Sequence, residues 1–280
     1  MLLGQNLGSQ EWSPIFVSYA QNFEDVALWR ALKHVRNGLY VDLGAQHPVQ
    51  DSVTRAFYER GWRGVHVEPV AVYADLLRAD RPDETVIQKA IGAEAGTMTL
   101  YVFADSGLSS LIAESAEAGA VTLKRTAEAV DVSVITLDQL LAPYEGRDIH
   151  FMKIDIEGAE KAALSGWSPA RFRPWIILVE ATKPNSTEPN HHDWEPLILA
   201  GDYEFAYFDG LNRFYVAKEH PELLDPIRRP PSVFDNFTQH RVFKLEQALA
   251  RERNRVRLLP EAFLTRLGRK LRRVIKGGAS

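Results

Sequence analysis

Residues 39–48 read LYVDLGAQHP, and this stretch predicts how the rest of the chain folds. An apolar run that contains one acid, Asp42, ends at Gly44 and Ala45 and then meets a proline. The first strand of a nucleotide-binding α/β sheet ends in this way, because a glycine lets backbone N–H groups approach a ligand closely. The stretch therefore predicts the first strand of such a sheet, with a ligand at its carboxyl end.

A second apolar strand follows at residues 64–67 and ends at Glu68, with Pro69 behind it. An acid at the tip of the second strand, about 20 residues after the glycine turn, is placed to accept hydrogen bonds from two ribose hydroxyls. Gly44 stands without the second and third glycines that the pyrophosphate of a dinucleotide requires. The turn thus favours an adenosine ligand without pyrophosphate, S-adenosylmethionine (SAM), over NAD.

The composition is that of a globular protein, with 45% hydrophobic and 25% charged residues among 280. A chain of this length buries a sizeable core in one large domain or two modest ones. It contains no cysteine, which excludes disulfides and thiolate metal sites. No apolar run reaches the roughly 18 residues of a membrane span, and no signal-peptide pattern opens the sequence, so a cytoplasmic location is predicted.

The charge of the chain is distributed unevenly. Residues 241–280 contain twelve Lys/Arg and three Glu, a net charge of +9, which leaves −13 for the other 240 residues. Apolar residues recur at helical spacing in this tail, with arginines between them. Such a basic helix can lie on an anionic membrane at the inner face, pack on its own domain or pair with a second copy as a homodimer. Nucleic acid is not a favoured partner.

Strands and helices alternate between residues 15 and 240. Helices are predicted over residues 18–32, where Ser18 or Asn22 would be the cap, and over residues 51–60, 71–79, 155–166 and 192–200. Further strands are predicted over residues 85–88, 149–154 and 175–179, with alternating strands at 96–103 and 130–134 in an insertion and a hairpin at 205–208 and 213–217.

This order is typical of the class I methyltransferase (Rossmann-like) fold. The sheet is expected to be mostly parallel with a reversed edge strand, with helices on both faces. Residues 1–14 are predicted as a loose lead-in, residues 15–240 as the SAM-dependent methyltransferase domain and residues 241–280 as a basic helical tail.

Acidic residues lie at or near the ends of four of the predicted strands, and the carboxyl ends of parallel strands share one edge of a sheet. These acids are Asp42, Glu68, Asp155 with Glu157, and Glu180. Methyl transfer from a sulfonium requires alignment, a dry site and usually a base for the acceptor hydroxyl. Asp155 and Glu157 are the candidates for that base, and the alternative for Asp155 is a helix cap.

Two further groups of residues are candidates for the site. The backbone just after the third strand, at Ala90 and Ile91, is expected to meet the adenine. The turn at Gly44 and Ala45 is also expected to bind the cofactor. The polar loop after the fifth strand carries His192, a candidate catalytic residue. Oxygen and imidazole ligands for a divalent metal are also available, although their spacing matches no closed motif. They are Asp155, Glu180, His191, His192 and Asp193.

Four blocks of sequence resemble the FkbM family of SAM-dependent methyltransferases. They are SYAQNFEDVAL (18–28), YVDLGAQHPVQDSVTRAFYERGWRGVHVEP (40–69), FMKIDIEGAE (151–160) and YFDGLNRFYVAKEH (207–220). The resemblance covers about residues 15–220 and implies a class I fold and O-methylation of sugars, polyketides or other metabolites. It also implies that Asp42 and Gly44 lie against the methionine part of SAM, Glu68 on the ribose and Asp155 beside the transferred methyl. One departure is Gln46, where many members carry Asn.

The sequence therefore predicts a SAM-dependent O-methyltransferase that acts on a sugar hydroxyl in surface polysaccharide, glycan or related metabolite biosynthesis. Two other classes remain open at this point. One is a nicotinamide-dependent oxidoreductase, and the other is a SAM-binding scaffold without catalytic activity.

Overall fold

A computed structural model describes residues 15–102, 109–110, 128–183 and 186–257. The predicted lead-in at residues 1–14 and the tail beyond residue 257 lie outside these ranges. The chain divides into two compact units, Met1–Phe237 and Thr238–Ser280. The described part of the second unit is mostly one long helix.

The strands, in chain order, are β1 (Phe16–Ser18), β2 (Leu39–Leu43), β3 (Arg63–Val67), β4 (Thr85–Ile87), β5 (Ala90–Ile91), β6 (Gly96–Val102), β7 (Ser109–Ser110), β8 (Glu128–Ile135), β9 (Phe151–Ile154), β10 (Ile176–Glu180), β11 (Tyr203–Phe208), β12 (Asn212–Ala217) and β13 (Phe237–Gln239). The helices are α1 (Glu24–Leu32), α2 (Arg55–Tyr58), α3 (Ala71–Asp80), α4 (Leu137–Leu141), α5 (Glu160–Ser165), α6 (Glu195–Ala200), α7 (Leu224–Arg228) and α8 (His240–Arg257).

The core of the first unit is a seven-stranded sheet with the order β11-β12-β10-β9-β2-β3-β4. Strands β2, β3, β4, β9 and β10 are parallel, and β12 is antiparallel to both of its neighbours. A mixed α/β fold with a mostly parallel sheet is thus confirmed. The sequence predicted that the reversed strand would be the edge strand, and this prediction is wrong. The reversed strand lies second from the edge, because the hairpin returns the chain and leaves β11 outermost.

Both faces of the sheet are covered, which explains why its central strands are apolar throughout. All five residues of β2 are buried. Successive side chains of a strand point to opposite faces. Tyr40 accordingly belongs to a buried cluster that includes Leu28 of α1, whereas Val41 belongs to another that includes Leu164 of α5.

The predicted insertion between the third and fourth strands forms a second sheet, with the order β5-β8-β6-β7. Its long pair, β6 and β8, is antiparallel, and β5 joins β8 in parallel at Ala90 and Ile91. Residues 103–108 and 111–127, which include the end of the predicted strand at 96–103, lie outside the described residues.

Two helices are shorter than predicted, because the residues predicted to begin them have other structures or other hydrogen-bond partners. Helix α1 begins at Glu24, and Ser18 is in β1, where its hydroxyl donates to the buried Asp25 at 2.7 Å. Neither Ser18 nor Asn22 caps the helix. The helix predicted from residue 51 covers only Arg55–Tyr58, because Asp51 has a φ of 55° and lies outside helical geometry.

The second unit contains α8, an 18-residue helix that runs from His240 to Arg257. The tail from residue 241 is predicted to be helical, and its described residues, up to Arg257, belong to this helix. Over the described part of the chain, every helix is too short or too polar to cross a membrane.

Candidate active site

The carboxyl ends of β2, β3, β9 and β10 open into a cavity of about 650 Å³. This volume lies within the range of small-molecule sites. Residues predicted for the site that line the cavity are Gly44, Ala45, Glu68, Ala90, Ile91, Asp155 and Glu157. Asp42 is also predicted for the site but is 1% exposed, within β2. The structure thus brings together the predicted residues from four strand ends.

The turn at Gly44 requires glycine for two reasons. Its φ is 73°, in the left-handed region that residues with a Cβ rarely adopt. A Cβ on Gly44 would also lie 1.8 Å from the carbonyl oxygen of Asp155, which passes directly beside it. The Gly44 N–H donates to the Val67 carbonyl at 3.0 Å. The turn therefore joins the ends of β2, β3 and β9.

Glu68 connects this turn to the helix that follows β3. Its carboxylate accepts from the Gln46 N–H at 2.9 Å and from the Val70 N–H at 2.8 Å. Burial raises the pKa of Glu68 to about 7, although both N–H groups oppose the shift. A carboxylate offers about four acceptor positions, so two remain for hydroxyls of a ligand in the cavity.

We expect Glu68→Gln to weaken SAM binding at least about tenfold, because it removes a charge-assisted acceptor worth about 1.5–3 kcal/mol. Calorimetric titration with SAM measures the change, and Glu94→Gln, at an exposed position outside the cavity lining, is the control. Equal affinity in the Glu68 variant and the wild type, with unchanged thermal unfolding, would remove Glu68 from the ribose site.

Lys153 is the residue of the site that the sequence analysis missed. Its Nζ lies 3.1 Å from Asp155 Oδ2 and 3.5 Å from Asp42 Oδ1, and it donates to the Gly44 carbonyl at 3.2 Å. Burial alone would lower the pKa of Lys153, but the two carboxylates raise it above its usual value. The signal for this role was a lysine inside the apolar strand FMKI.

Asp42 is the buried counterpart of Lys153. Burial alone would raise its pKa, but Lys153, His66 and the Thr54 hydroxyl hold the pKa of this carboxyl well below its usual range. Arg81, which is fully buried, donates to Thr54 Oγ1 at 2.9 Å. Asp42 therefore lies at the buried end of β2 below the Gly44 turn, and its contact with the cofactor stays a prediction.

Three carboxylates at the ends of β9 and β10 face one another across the cavity. One oxygen from each of Asp155, Glu157 and Glu180 lies within 4.8 Å of the others. Burial, followed by the charge of Asp155, raises the pKa of Glu157 and of Glu180. Among the described residues, this is the group that could hold a metal ion. It contains two of the predicted metal ligands, Asp155 and Glu180, but neither of the histidines nor Asp193.

The chain between β9 and α5 holds these acids in place. Glu157 has a φ of 52° and Gly158 a φ of 96°. The side chain of Glu160 accepts from the Ile156 N–H at 3.3 Å and from the Gly158 N–H at 3.0 Å. The helix starts only at Glu160, so the alternative role of Asp155 as a helix cap is wrong.

Another part of the cavity wall combines two segments that are far apart in the sequence. Asn212 Nδ2 donates to Glu24 Oε1 at 2.9 Å, and Asn22 Nδ2 donates to the Asp209 carbonyl at 3.0 Å. Gln21 and Leu211, one from each segment, line the cavity. We call this pair of segments, residues 21–24 and 209–212, the wall clasp.

His192 lies away from the described lining of the cavity. It is exposed in the 3₁₀ turn His191–Asp193, and its ring lies 4.0 Å from that of His191, centroid to centroid. Three residues that precede this turn in the same loop region do line the cavity, namely Thr182, Ser186 and Thr187.

The comparisons with known proteins agree with this arrangement. No curated protein matches the chain. A family model described as the methyltransferase FkbM domain matches residues 42–205, which include the end of β2, the glycine turn, Glu68 and the acids at the ends of β9 and β10. The chain belongs to the FkbM family of methyltransferases.

Proposed function

We propose that this protein is a SAM-dependent O-methyltransferase that methylates a sugar hydroxyl in surface polysaccharide, glycan or related metabolite biosynthesis. The observation that carries the proposal is the convergence of the Gly44 turn, Glu68 and Asp155 on one cavity. The sheet supports a class I methyltransferase arrangement, since five parallel strands are followed by a hairpin with one reversed strand.

The residues present fit SAM. Gly44 lines the cavity without a side chain, so a ligand can approach its backbone closely. Glu68 would hold the ribose, Ala90 and Ile91 would flank the adenine, and the acids after β9 would face the sulfonium. When bound, SAM supplies a methyl group that is activated for transfer to an acceptor oxygen.

The acceptor hydroxyl must lose its proton as its oxygen takes up the methyl group, and the carboxylates after β9 are placed to receive that proton. Glu157 suits this role because its raised pKa lies closer to neutral pH than that of an ordinary carboxyl. Asp155, held by Lys153 at 3.1 Å, would orient the hydroxyl. A divalent metal held by Asp155, Glu157 and Glu180 would serve the same purpose by binding the acceptor oxygen.

Part of the cavity lining suits an acceptor rich in hydroxyls. Besides the acids, the lining includes uncharged polar side chains from the segments at residues 21 and 182–187. These residues are Gln21, Thr182, Ser186 and Thr187. Amide and hydroxyl side chains both donate and accept hydrogen bonds, as sugar hydroxyls do.

Titration calorimetry with SAM and with NAD tests the cofactor. Binding of SAM without NAD is expected, since the turn lacks the glycines that a pyrophosphate requires. Binding of NAD alone would instead support a nicotinamide-dependent oxidoreductase. Mass spectrometry of glycans and lipids from cells with and without the gene then identifies the acceptor by a shift of one methyl group.

Asp155→Asn is expected to lower methyl transfer at least about a hundredfold while SAM affinity changes much less, because the group acts on the acceptor. The transfer of labelled methyl groups to a cell extract, with and without added Mg²⁺, measures the rate. Asp75→Asn, on the exposed side of α3, is the control. If the wild-type chain binds SAM and no extract fraction becomes labelled, the protein is a SAM-binding scaffold.

A further inference from the structure

Part of the cavity lining belongs to the connection between β2 and α2, outside helices and strands. We call residues 46–52 of this connection the strap. Gln46 and Asp51, near its two ends, line the cavity. Their φ values are 50° and 55°, in the left-handed region that residues other than glycine seldom adopt. Such a conformation persists only where the surrounding structure holds it.

Arg81, directly after α3, holds the strap from the interior of the first unit. Its side chain is fully buried. Its Nη2 donates to the Pro48 carbonyl at 2.6 Å and to Ser52 Oγ at 2.9 Å. Pro48 and Ser52 are themselves buried, and a buried carbonyl outside a helix or sheet needs such a donor. One nitrogen of the guanidinium thus fixes two points of the strap.

The charge of Arg81 is balanced by acids that do not belong to the strap. Glu84 Oε2 lies 3.6 Å from Arg81 Nη1, and Asp80 Oδ2 lies 3.8 Å from Arg81 Nε. A guanidinium carries five N–H donors in a planar fork, whereas a lysine ammonium carries three on one atom. Lysine at position 81 would therefore keep a positive charge near Glu84 but could not reproduce the two contacts with the strap.

The strap also fixes the position of Glu68. The Gln46 N–H donates to one oxygen of the Glu68 carboxylate at 2.9 Å, and the Val70 N–H donates to the other at 2.8 Å. One side of this carboxylate is therefore held by the strap and the other by the residue before α3. A shift of Gln46 would turn the carboxylate that is proposed to hold the ribose.

We infer that Arg81 is a positioning residue for the cofactor, because it fixes the strap and, through the Gln46 N–H, orients Glu68 towards the ribose. The inference rests on the proposed binding of SAM in this cavity. Arg81 itself lies behind the described lining, fully buried, and touches the strap rather than the ligand. Its contribution is the shape of the site before SAM arrives, which lowers the cost of ordering on binding.

The test compares full-length Arg81→Lys with the wild type. Hydrogen–deuterium exchange without ligand should become at least about tenfold faster in the strap, while β2 and β9 keep their protection. Calorimetry should show at least about a tenfold loss of SAM affinity, because hydrogen bonds from a charged donor are lost at the strap. In the transfer of labelled methyl groups, the KM for SAM should rise by more than kcat falls, since Asp155 and Glu157 are not part of the strap.

Arg30→Lys is the matched control. The Arg30 side chain is also largely buried, at 13% exposed, and it donates to the Pro226 carbonyl at 2.8 Å and pairs with Asp235, outside the cavity lining. This variant should lose stability but keep the SAM affinity and the strap exchange of the wild type. If Arg81→Lys does not fold, Ser52→Ala removes one acceptor of the strap. It should still speed exchange there and weaken SAM binding about threefold.

Unchanged exchange of the strap in Arg81→Lys, or in Ser52→Ala where that variant replaces it, would overturn the inference. Equal losses of SAM affinity in Arg81→Lys and Arg30→Lys would also overturn it, because Arg81 would then serve general stability alone. A wild type that binds no SAM would contradict the proposed function and the cofactor role together. Exchange of the strap needs no ligand, so it separates that failure from a failure of Arg81 to hold the strap.

Discussion

Replacement of Gly44 by alanine is expected to abolish detectable SAM binding and to lower methyl transfer by at least about a hundredfold. The new Cβ would lie 1.8 Å from the Asp155 carbonyl oxygen, so the ends of β2 and β9 must separate. A displacement of about 1 Å in a site can cost on the order of a hundredfold in rate. Overpacking of this kind also costs about 1–3 kcal/mol in the free energy of unfolding.

A matched glycine separates the clash from the cost of the backbone conformation. Gly146 has a φ of 75°, close to the 73° of Gly44, but a Cβ there meets nothing within 4 Å. Gly146→Ala should therefore cost only the left-handed conformation, about 1–2 kcal/mol, and leave SAM affinity unchanged. Calorimetry and thermal unfolding of both variants give the comparison. If Gly44→Ala and Gly146→Ala lose similar amounts of SAM affinity, the close contact with the Asp155 carbonyl is not the reason why position 44 requires glycine.

Lys153→Met is expected to destabilise the protein by about 3–5 kcal/mol, because it leaves the buried Asp42 without the ammonium group that lies 3.5 Å away. Methionine retains most of the length of the side chain, so loss of packing contributes little. Denaturant unfolding measures the change. Lys161→Met, at an exposed position of α5, should change the free energy of unfolding by less than about 0.5 kcal/mol.

The pH dependence of this loss identifies Asp42 as the group involved. In the wild type, the folded-state pKa of Asp42 is depressed, so its stabilisation is present above the unfolded pKa and is lost as the pH falls towards the folded pKa. In Lys153→Met the burial effect dominates and the folded pKa of Asp42 rises. The difference in stability between the two proteins should therefore be largest near neutral pH and shrink below about pH 4.

The double variant Lys153→Met/Asp42→Asn provides an internal check. Removal of both charges of a buried pair costs less than removal of one, so the second substitution should recover part of the stability. If Asp42→Asn instead adds a full, independent loss, the two residues are not coupled and the role assigned to Lys153 is wrong.

The sequence was informative where a local pattern decides the structure. Four apolar runs predicted four strand ends at one edge, because parallel strands share that edge. These runs end at Gly44, Glu68, Asp155 and Glu180. Lys153 could not be placed in the same way. Its role depends on the register that sets it beside Asp42 across two strands, and register is a tertiary property.

Caps and loop residues were predicted less well, for a related reason. Ser18 and Asn22 have the residue types of helix caps, but in the structure they serve Asp25 and Asp209 instead. His192 had the chemistry of a catalytic residue, yet its 3₁₀ turn leaves it exposed. Residue type alone does not reveal which distant partner a polar side chain will meet.

The wall clasp has a consequence for the order in which the protein is made. Glu24 and Asn212 are 188 residues apart in the sequence. The hydrogen bond between them can therefore form only after the β11–β12 hairpin has left the ribosome. Contacts of such long range close late in folding. The Gly44 turn also needs β9, because Lys153 donates to the Gly44 carbonyl across 109 residues of sequence. A nascent chain therefore completes the turn at which the cofactor is proposed to bind only after β9 has been made, and completes the wall clasp later still.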